Sequence, residues 1–477
     1  MTTMMATASW GRLRPKLARR FSPATLLFLP RSFSSSASAK PRVVVLGSGW
    51  GGFQVARDLD KDKYDVRVIS PANHFLFTPL LPSTAVGTLE FRCIQEPVRT
   101  IKGLREYYQA KARSIDTKEK VVACRDIFKE REFDVPYDYL VIACGAKTNT
   151  FGTPGVEERE GQQVQFLKHL YHSRKIRHRI LECFERASEP MISNEERKRL
   201  LSFIVVGGGP TSCEFTGELH DFITEDCTRW FPDLKNDIRI TLVEAGGGLL
   251  GSFSQSLATY VQGSLQKRNI DIRLNTAVKA VESISDDPKN SSAVQAIFQD
   301  GSVLPFGLMV WSAGLKQVKF IDSLSFEHGP TGRLTVDDYL QIPGHEGRIF
   351  ALGDCAVNTT APLAPLAKVA QQHGAYLAKH MNAQNPKNKE PLGTPDKAFS
   401  FFNPGSMAQI GGWKGVLDFT HVGSGEKQLS GPTITGFAAW VTWRSAYWGR
   451  QVSLRNKILI PMHWFQSWVF GRDICRF

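Results

Sequence analysis

The chain reads as an α/β protein with two Rossmann-like dinucleotide-binding domains and a C-terminal helical segment suited to a membrane surface. Two stretches predict the first part. Val43-Val44-Val45-Leu46-Gly47-Ser48-Gly49-Trp50-Gly51-Gly52 and Ile204-Val205-Val206-Gly207-Gly208-Gly209-Pro210-Thr211-Ser212-Cys213-Glu214 each run a β-branched strand into a glycine turn and then a helix. That order builds a pyrophosphate site. The first glycine permits the tight turn, the second lets backbone approach the phosphates, and the helix N-terminus offers its amides. Two such sites imply electron traffic between two nucleotides. The third observation is a tail rich in tryptophan and arginine from residue 440 onward.

A chain of 477 residues, 42% hydrophobic and 22% charged, has room for two or three domains. Its eight cysteines include no CxxC pair, which argues against a zinc site and against a thioredoxin-like motif. The net charge of +13 is partly an address. Residues 1–40 carry Arg12, Arg14, Lys16, Arg19, Arg20, Arg31 and Lys40, no acid, and a serine-rich run at 32–36. This is the composition of an organellar transit peptide. Without it 52 basic residues face 46 acidic ones, and nucleic acid is not an expected partner. We find no run of 18 apolar residues that would span a bilayer. The expected organisation is a targeting segment at 1–40, a first nucleotide domain at 41–167 that resumes at 317–398, a second at 168–316, and a membrane-associating region at 399–477.

The first unit continues with a helix over Phe53–Leu59 and a strand over Asp65–Ser70. That strand ordinarily ends in an acid for a ribose hydroxyl, and here the position is Ser70, a weaker uncharged partner. Asp58, Asp60 and Asp62 imitate a calcium loop, but Lys63 stands where glycine is needed and Ile69 where a bidentate Glu is needed. No calcium or other metal site is expected. A proline-punctuated loop follows at Pro71–Pro82, and the strand Tyr137–Ile142 ends in the small residues Ala143-Cys144-Gly145-Ala146. Residues 168–200 are charged, glycine-free and helical in pattern.

In the second unit Ser212 takes the third glycine position. The strand Ile238–Val243 ends in Glu244, the acid the first unit lacks, and a lengthened helix and loop over Leu219–Asp237 explains its distance from Gly207. A carboxylate accepts from both ribose hydroxyls and repels a 2′-phosphate, which favours NADH over NADPH. The sheet continues through Ile272–Leu274 and Val303–Trp311 to Ser312-Ala313-Gly314. A last strand from Arg348 ends in Gly353-Asp354, an aspartate able to bond a ribityl or ribose hydroxyl or to cap the next helix.

Taken together, the paired fingerprints, Cys144-Gly145 and Gly353-Asp354 resemble the two-dinucleotide flavoprotein reductases. Within them, Asn73–Leu81, Gly207–Leu219, Ala367-Lys368-Val369-Ala370-Gln371-Gln372 and Ser406–Gly411 resemble mitochondrial type II NADH:quinone oxidoreductases, across residues 41–477. The resemblance implies non-covalent FAD held by Gly47, Gly49, Gly52, Ser70, Gly145, Gly353 and Asp354, with Thr78, Pro79, Leu80 and Leu81 against the isoalloxazine. It implies NADH held by Gly207, Gly209 and Glu244, with Glu214 near the nicotinamide. It also implies a ubiquinone site along 367–372, where Lys368 replaces the family's first glutamine and joins Gln371 and Gln372 as head-group candidates. The sequence supplies no transmembrane proton path, so direct proton pumping is not expected.

From residue 440, Trp440, Trp443, Trp448, Trp464 and Trp468 accompany six basic residues against one acid, Asp473. Leu454, Ile458, Phe465, Trp468 and Val469 recur near helical spacing, with Pro461 as a kink. Indole and arginine together suit an interfacial helix lying in the head-group layer, and the resemblance implies that the membrane is the inner mitochondrial one. The alternative uses of that face are the protein's own core and a homodimer contact. On the interfacial reading, removing 440–477 frees the protein from membranes and spares NADH oxidation. Two other functions stand beside the main one. A sulfide:quinone oxidoreductase needs redox cysteines beside the flavin, and Cys144 and Cys355 lie near the expected flavin loops. A redox-signalling flavoprotein binds NADH and acts through partners.

Overall fold

The computed structural model describes residues 40–284, 293–384, 389–425 and 427–475, so the expected targeting segment, apart from Lys40, lies outside the described residues. Two five-stranded parallel sheets form its centre. The first runs in the order Ile349–Ala351, Tyr139–Ile142, Arg42–Leu46, Asp65–Ile69, Glu106–Tyr108. The second runs Val164–Phe166, Leu308–Trp311, Ser202–Val206, Arg239–Val243, Asp271–Arg273. Each glycine-fingerprint strand is therefore the middle strand of its sheet. Each sheet also carries a three-stranded antiparallel companion, at 110–136 and 278–306. The continuous apolar runs follow from this: parallel strands covered on both faces need no polar alternation, and Val43–Leu46 and Phe203–Val205 are buried throughout.

At the end of the first fingerprint strand Gly47 has φ +110°, and a Cβ there would lie 2.2 Å from the Ala143 carbonyl oxygen. No other residue fits that crossing. The helix that follows starts at Trp50, earlier than the apolar spacing suggested, and ends at Asp58. It packs on the helix Ala367–Ala383, whose Gly374 lets the two backbones meet: a Cβ there would lie 2.6 Å from the Gly51 carbonyl oxygen. Gly52 serves the same end and not ligand contact, since its Cβ position is filled by the Gly47 carbonyl at 2.2 Å.

Two expectations change in the second domain. Its sheet takes in Val164–Phe166, which lies before the expected start at 168 and is too short and glutamine-interrupted to announce itself. The stretch read as one strand at Val303–Trp311 splits at Gly307, which abuts the Leu200 carbonyl. Val303–Phe306 joins the antiparallel sheet and Leu308–Trp311 the parallel one. The long Leu219–Asp237 connection is a helix that widens into a π-turn at Phe222–Cys227 and tightens at Pro232–Asp237.

The C-terminal part opens with an antiparallel sheet of Ser406–Gln409, Gly415–Asp418 and Thr433–Gly436. The helices Phe437–Gly449 and Leu454–Phe470 follow, the second running through Pro461. Its face of Asn456, Ile460 and His463 is buried, whereas Leu454, Ile458, Met462, Phe465 and Val469 are exposed at spacings of three and four. Among the described residues no helix is long and apolar enough to cross a membrane.

Candidate active site

Strands of a parallel sheet deliver their C-terminal ends to one edge, and one cavity of about 1040 Å³ is walled by segments following strands of both sheets. From the first domain its walls include Gly47, Gly49, Ser70, Gly145, Gly353 and Asp354. From the second come Lys168, His169, Thr211, Ser312 and Gly314. The volume stands at the upper end for ligand pockets and suits an extended dinucleotide. At Gly49 and Gly145 an added Cβ would meet nothing within 4 Å, so the glycine backbone faces open space, as a cradle for phosphates requires. The helix at Trp50 has no side-chain cap on its N-terminus, leaving its amides to an anion. These features fit FAD.

Several expected residues line this cavity and others do not. Ser70 lines it, but its hydroxyl also lies 2.9 Å from that of Ser48. Thr78 lines it and accepts a 3.0 Å hydrogen bond from Trp50 Nε1. Leu81 follows it into the wall, whereas the tight turn Thr78–Leu80 points Leu80 into the core with no exposed surface. Leu80 is thus a packing residue. Asp354 is pushed above the usual carboxylate range by burial and pulled back by Lys168 and Arg333. Its turn is held by the helix behind it, where His373 Nδ1 accepts from the Gly353 amide at 3.2 Å.

The second fingerprint repeats the design. Gly209 faces open space and its helix is uncapped. Ser212 keeps the helix close by bonding Ser312 Oγ at 2.7 Å. Glu244 stands at the strand end, where its carboxylate accepts from the Gly208 amide and, at 2.6 Å, from the Gly246 amide. An ionised carboxyl has about four acceptor sites, so two remain for ribose hydroxyls.

Comparisons with known proteins agree with this geometry. Residues 41–374 match the family described as pyridine nucleotide-disulphide oxidoreductase, and residues 404–473 match the NDH2 C-terminal domain. The chain is similar to a probable NADH dehydrogenase of Dictyostelium discoideum, 43% identical over 91% of both chains. The chain belongs to the type II NADH dehydrogenase family. It is also similar to the mitochondrial internal alternative NAD(P)H-ubiquinone oxidoreductase A1 of Arabidopsis thaliana, 39% identical over 92% of this chain and 86% of that one. The solved NDH2 of Plasmodium falciparum in complex with NADH superposes with a TM-score of 0.79 at 26% identity, covering 91% of this chain and all of that one. A sulfide:quinone oxidoreductase of Aquifex aeolicus shares the fold, with a TM-score of 0.65 at 20% identity over 91% of this chain and 96% of that one.

In this type II NADH dehydrogenase the residues expected to meet nicotinamide and quinone lie elsewhere than on the cavity wall. Glu214 is buried under the C-terminal helices, where its Oε1 accepts from Trp443 Nε1 at 3.0 Å and from the Gln409 amide at 3.3 Å. Burial pushes its carboxyl up to about 8, against those two donors. On the helix Ala367–Ala383 it is the small Ala367 and Ala370 that line the cavity. One turn of helix sends the neighbours to other faces. Lys368 spends its three N–H donors on Asn403 Oδ1, the Gly405 carbonyl and Ser406 Oγ, at 2.8, 3.1 and 3.4 Å. Gln372 pairs with both backbone groups of Phe402, and Gln371 is exposed with a 3.4 Å contact to Gln54. Lys368 and Gln372 thus fasten the strand and loop at 402–406 to the helix. Sequence reasoning missed Ser48, Trp50, Lys168 and His169. The first two sit inside a fingerprint and were legible there, while the others follow an unannounced strand.

Proposed function

We propose that this protein oxidises NADH through bound FAD and passes both electrons to ubiquinone at the surface of the inner mitochondrial membrane. One observation carries the reading: a single cavity is walled from both nucleotide domains, so two cofactor rings can meet in it. The Arabidopsis relative is named a mitochondrial ubiquinone oxidoreductase, and the Plasmodium relative was solved with NADH.

FAD, when bound, supplies the chemistry by accepting a hydride and releasing two electrons. The chain's own residues bind and orient. The Gly47–Gly49 turn and its helix would hold a pyrophosphate, Asp354 would serve a ribityl hydroxyl, and Gly209 with Glu244 would hold the second nucleotide by phosphate and ribose. Ala367 and Ala370 leave room along one wall, and Lys368 and Gln372 act as positioning residues that keep the C-terminal segment against that helix. The exposed stripe Leu454, Ile458, Met462, Phe465 and Val469, flanked by Trp468 and Lys457, is the surface that would lie in the head-group layer.

Steady-state kinetics with NADH, NADPH and a short-chain ubiquinone test the reading. Quinone-dependent turnover with NADH preferred is expected. Tight NADH binding with negligible quinone reduction would reject it in favour of a signalling role. The sulfide alternative is separated by anaerobic reduction of the flavin with NADH and then with sulfide. Burial lifts the Cys144 thiol well above its ordinary value and Cys355 to about 11, which opposes the thiolate that chemistry needs.

A further inference from the structure

Lys168 lies two residues beyond the strand Val164–Phe166 and just before the helix Leu170–Ala187, so it belongs to the NADH-binding domain. Its backbone is clamped there. The amides of Lys168 and His169 both donate to Nδ1 of the buried His172, at 3.2 and 3.0 Å. From this fixed base the side chain enters the cavity that the first domain walls on its other side. Among the described residues no hydrogen-bond acceptor meets its ammonium. Burial disfavours the charge, and the field of Asp354 across the cavity favours it.

Other basic groups line the cavity, but their settings differ. Lys111, Arg113 and Lys319 are exposed. His169 and His74 are imidazoles whose ordinary value is lowered chiefly by burial, which disfavours charge on both. Arg333, the second cation that Asp354 feels, is tied to the Leu363 carbonyl at 3.0 Å and to Thr331. Lys168 is therefore the half-buried cation of this wall whose donors are uncommitted among the described residues. A cation so placed costs stability unless something anionic arrives.

We propose that Lys168 is the electrostatic partner of the flavin, stabilising the negative charge that arrives on the ring with the hydride. The proposal rests on the FAD and NADH reading above. In that step the nicotinamide C–H bond breaks, both electrons and the hydrogen pass to the flavin, NAD⁺ remains, and the ring gains one negative charge. An ammonium in a partly dry cavity favours the product of that transfer more than the starting state, because the oxidised ring is neutral. Holding it from the NADH domain also ties the flavin's potential to the docking of the domain that delivers the hydride.

The test is the two-electron midpoint potential of the purified holoprotein, with FAD occupancy measured alongside. Lys168→Met, reconstituted with excess FAD, is expected to favour the oxidised form about tenfold more, a shift of about 30 mV to more negative potential for a two-electron couple. Lys168→Arg is expected to retain most of the native value. An unchanged potential in Lys168→Met overturns the proposal, and so does weaker FAD binding with the potential intact, which would assign Lys168 to the pyrophosphate. Failure of both variants to take up FAD also overturns it, making Lys168 a folding residue. Failure of the unaltered protein to bind FAD would instead sink the functional reading.

Discussion

Glu214 and Glu244 are acids of the same domain with opposite settings. Glu214 has been taken out of water and keeps its proton to about pH 8, above the ordinary 4.5. The folded protein then holds a proton that the unfolded chain releases between pH 4.5 and 8. Stability tied to this group is fully present below pH 4.5 and is lost as pH rises through about 8. Glu214→Gln keeps an oxygen for Trp443 and Gln409 and removes the linkage. The thermal midpoint of the variant should fall less steeply across that window than that of the native protein, and parallel curves would show that Glu214 does not titrate there. Glu244 stands at the open strand end, from which we propose that it serves the ribose. Glu244→Gln should narrow the preference for NADH over NADPH in kcat/KM, because the amide no longer repels a 2′-phosphate. An unchanged ratio would remove Glu244 from that site.

At the scale of elements, the C-terminal helices correct the sequence-based picture of a detachable foot. The helix Phe437–Gly449 buries Trp443 and hands its indole N–H to Glu214. Two of the basic residues expected at a head-group layer are also engaged within the protein. Arg444 stacks between Trp440 and Trp464, at 4.2 and 4.4 Å from the ring centroids, and Arg472 is sunk among acids. Removing 440–477 would therefore open the core as well as take away the surface proposed for the membrane. The clean probe is Ile458→Asp with Trp468→Asp, both on exposed positions of the helix Leu454–Phe470. The double variant should lose liposome binding and keep NADH oxidation by a soluble acceptor. Retained binding would leave the stripe to another use, and a dimer that dissociates in the variant would identify that use as self-association.

For the whole molecule, one buried network joins all three parts. Glu218 of the NADH-domain helix accepts from Ser83 at 2.8 Å, Thr88 at 2.6 Å and Gln409 at 2.6 Å, drawing in the first domain and the C-terminal sheet. Arg472 from the chain end donates to Thr88 at 2.9 Å, Asp226 at 2.8 Å and Glu225 at 2.9 Å, and Asp473 receives Arg177 at 2.9 Å. The chain end is thus a latch over both nucleotide domains. Arg472→Met leaves Glu218 and Asp226 buried without their cation, a change that costs about 3–5 kcal/mol in comparable sites. A denaturation midpoint equal to that of the native protein would show the latch to be idle.

Local chemistry determined much of this protein. A β-branched run, a glycine turn and a helix start dictate their own geometry within ten residues, so both strand–turn–helix fingerprints and the place of Glu244 at a strand end were legible as sequence. The parallel sheets followed from those motifs, and the apolar stripe of the last helix followed from its spacing. Tertiary structure decided where the remaining chemistry points. Helical spacing groups residues by face but does not say what covers the face, so Lys368, Gln371 and Gln372 read as cavity residues until the strand and loop at 402–406 claimed two of them and left the third exposed. Glu214 read as a nicotinamide neighbour until Trp443, 229 positions later, lay over it. Lys168 carried no signal at all, because a lysine after a three-residue strand has no local pattern, and only the meeting of two domains gives it a cavity to enter.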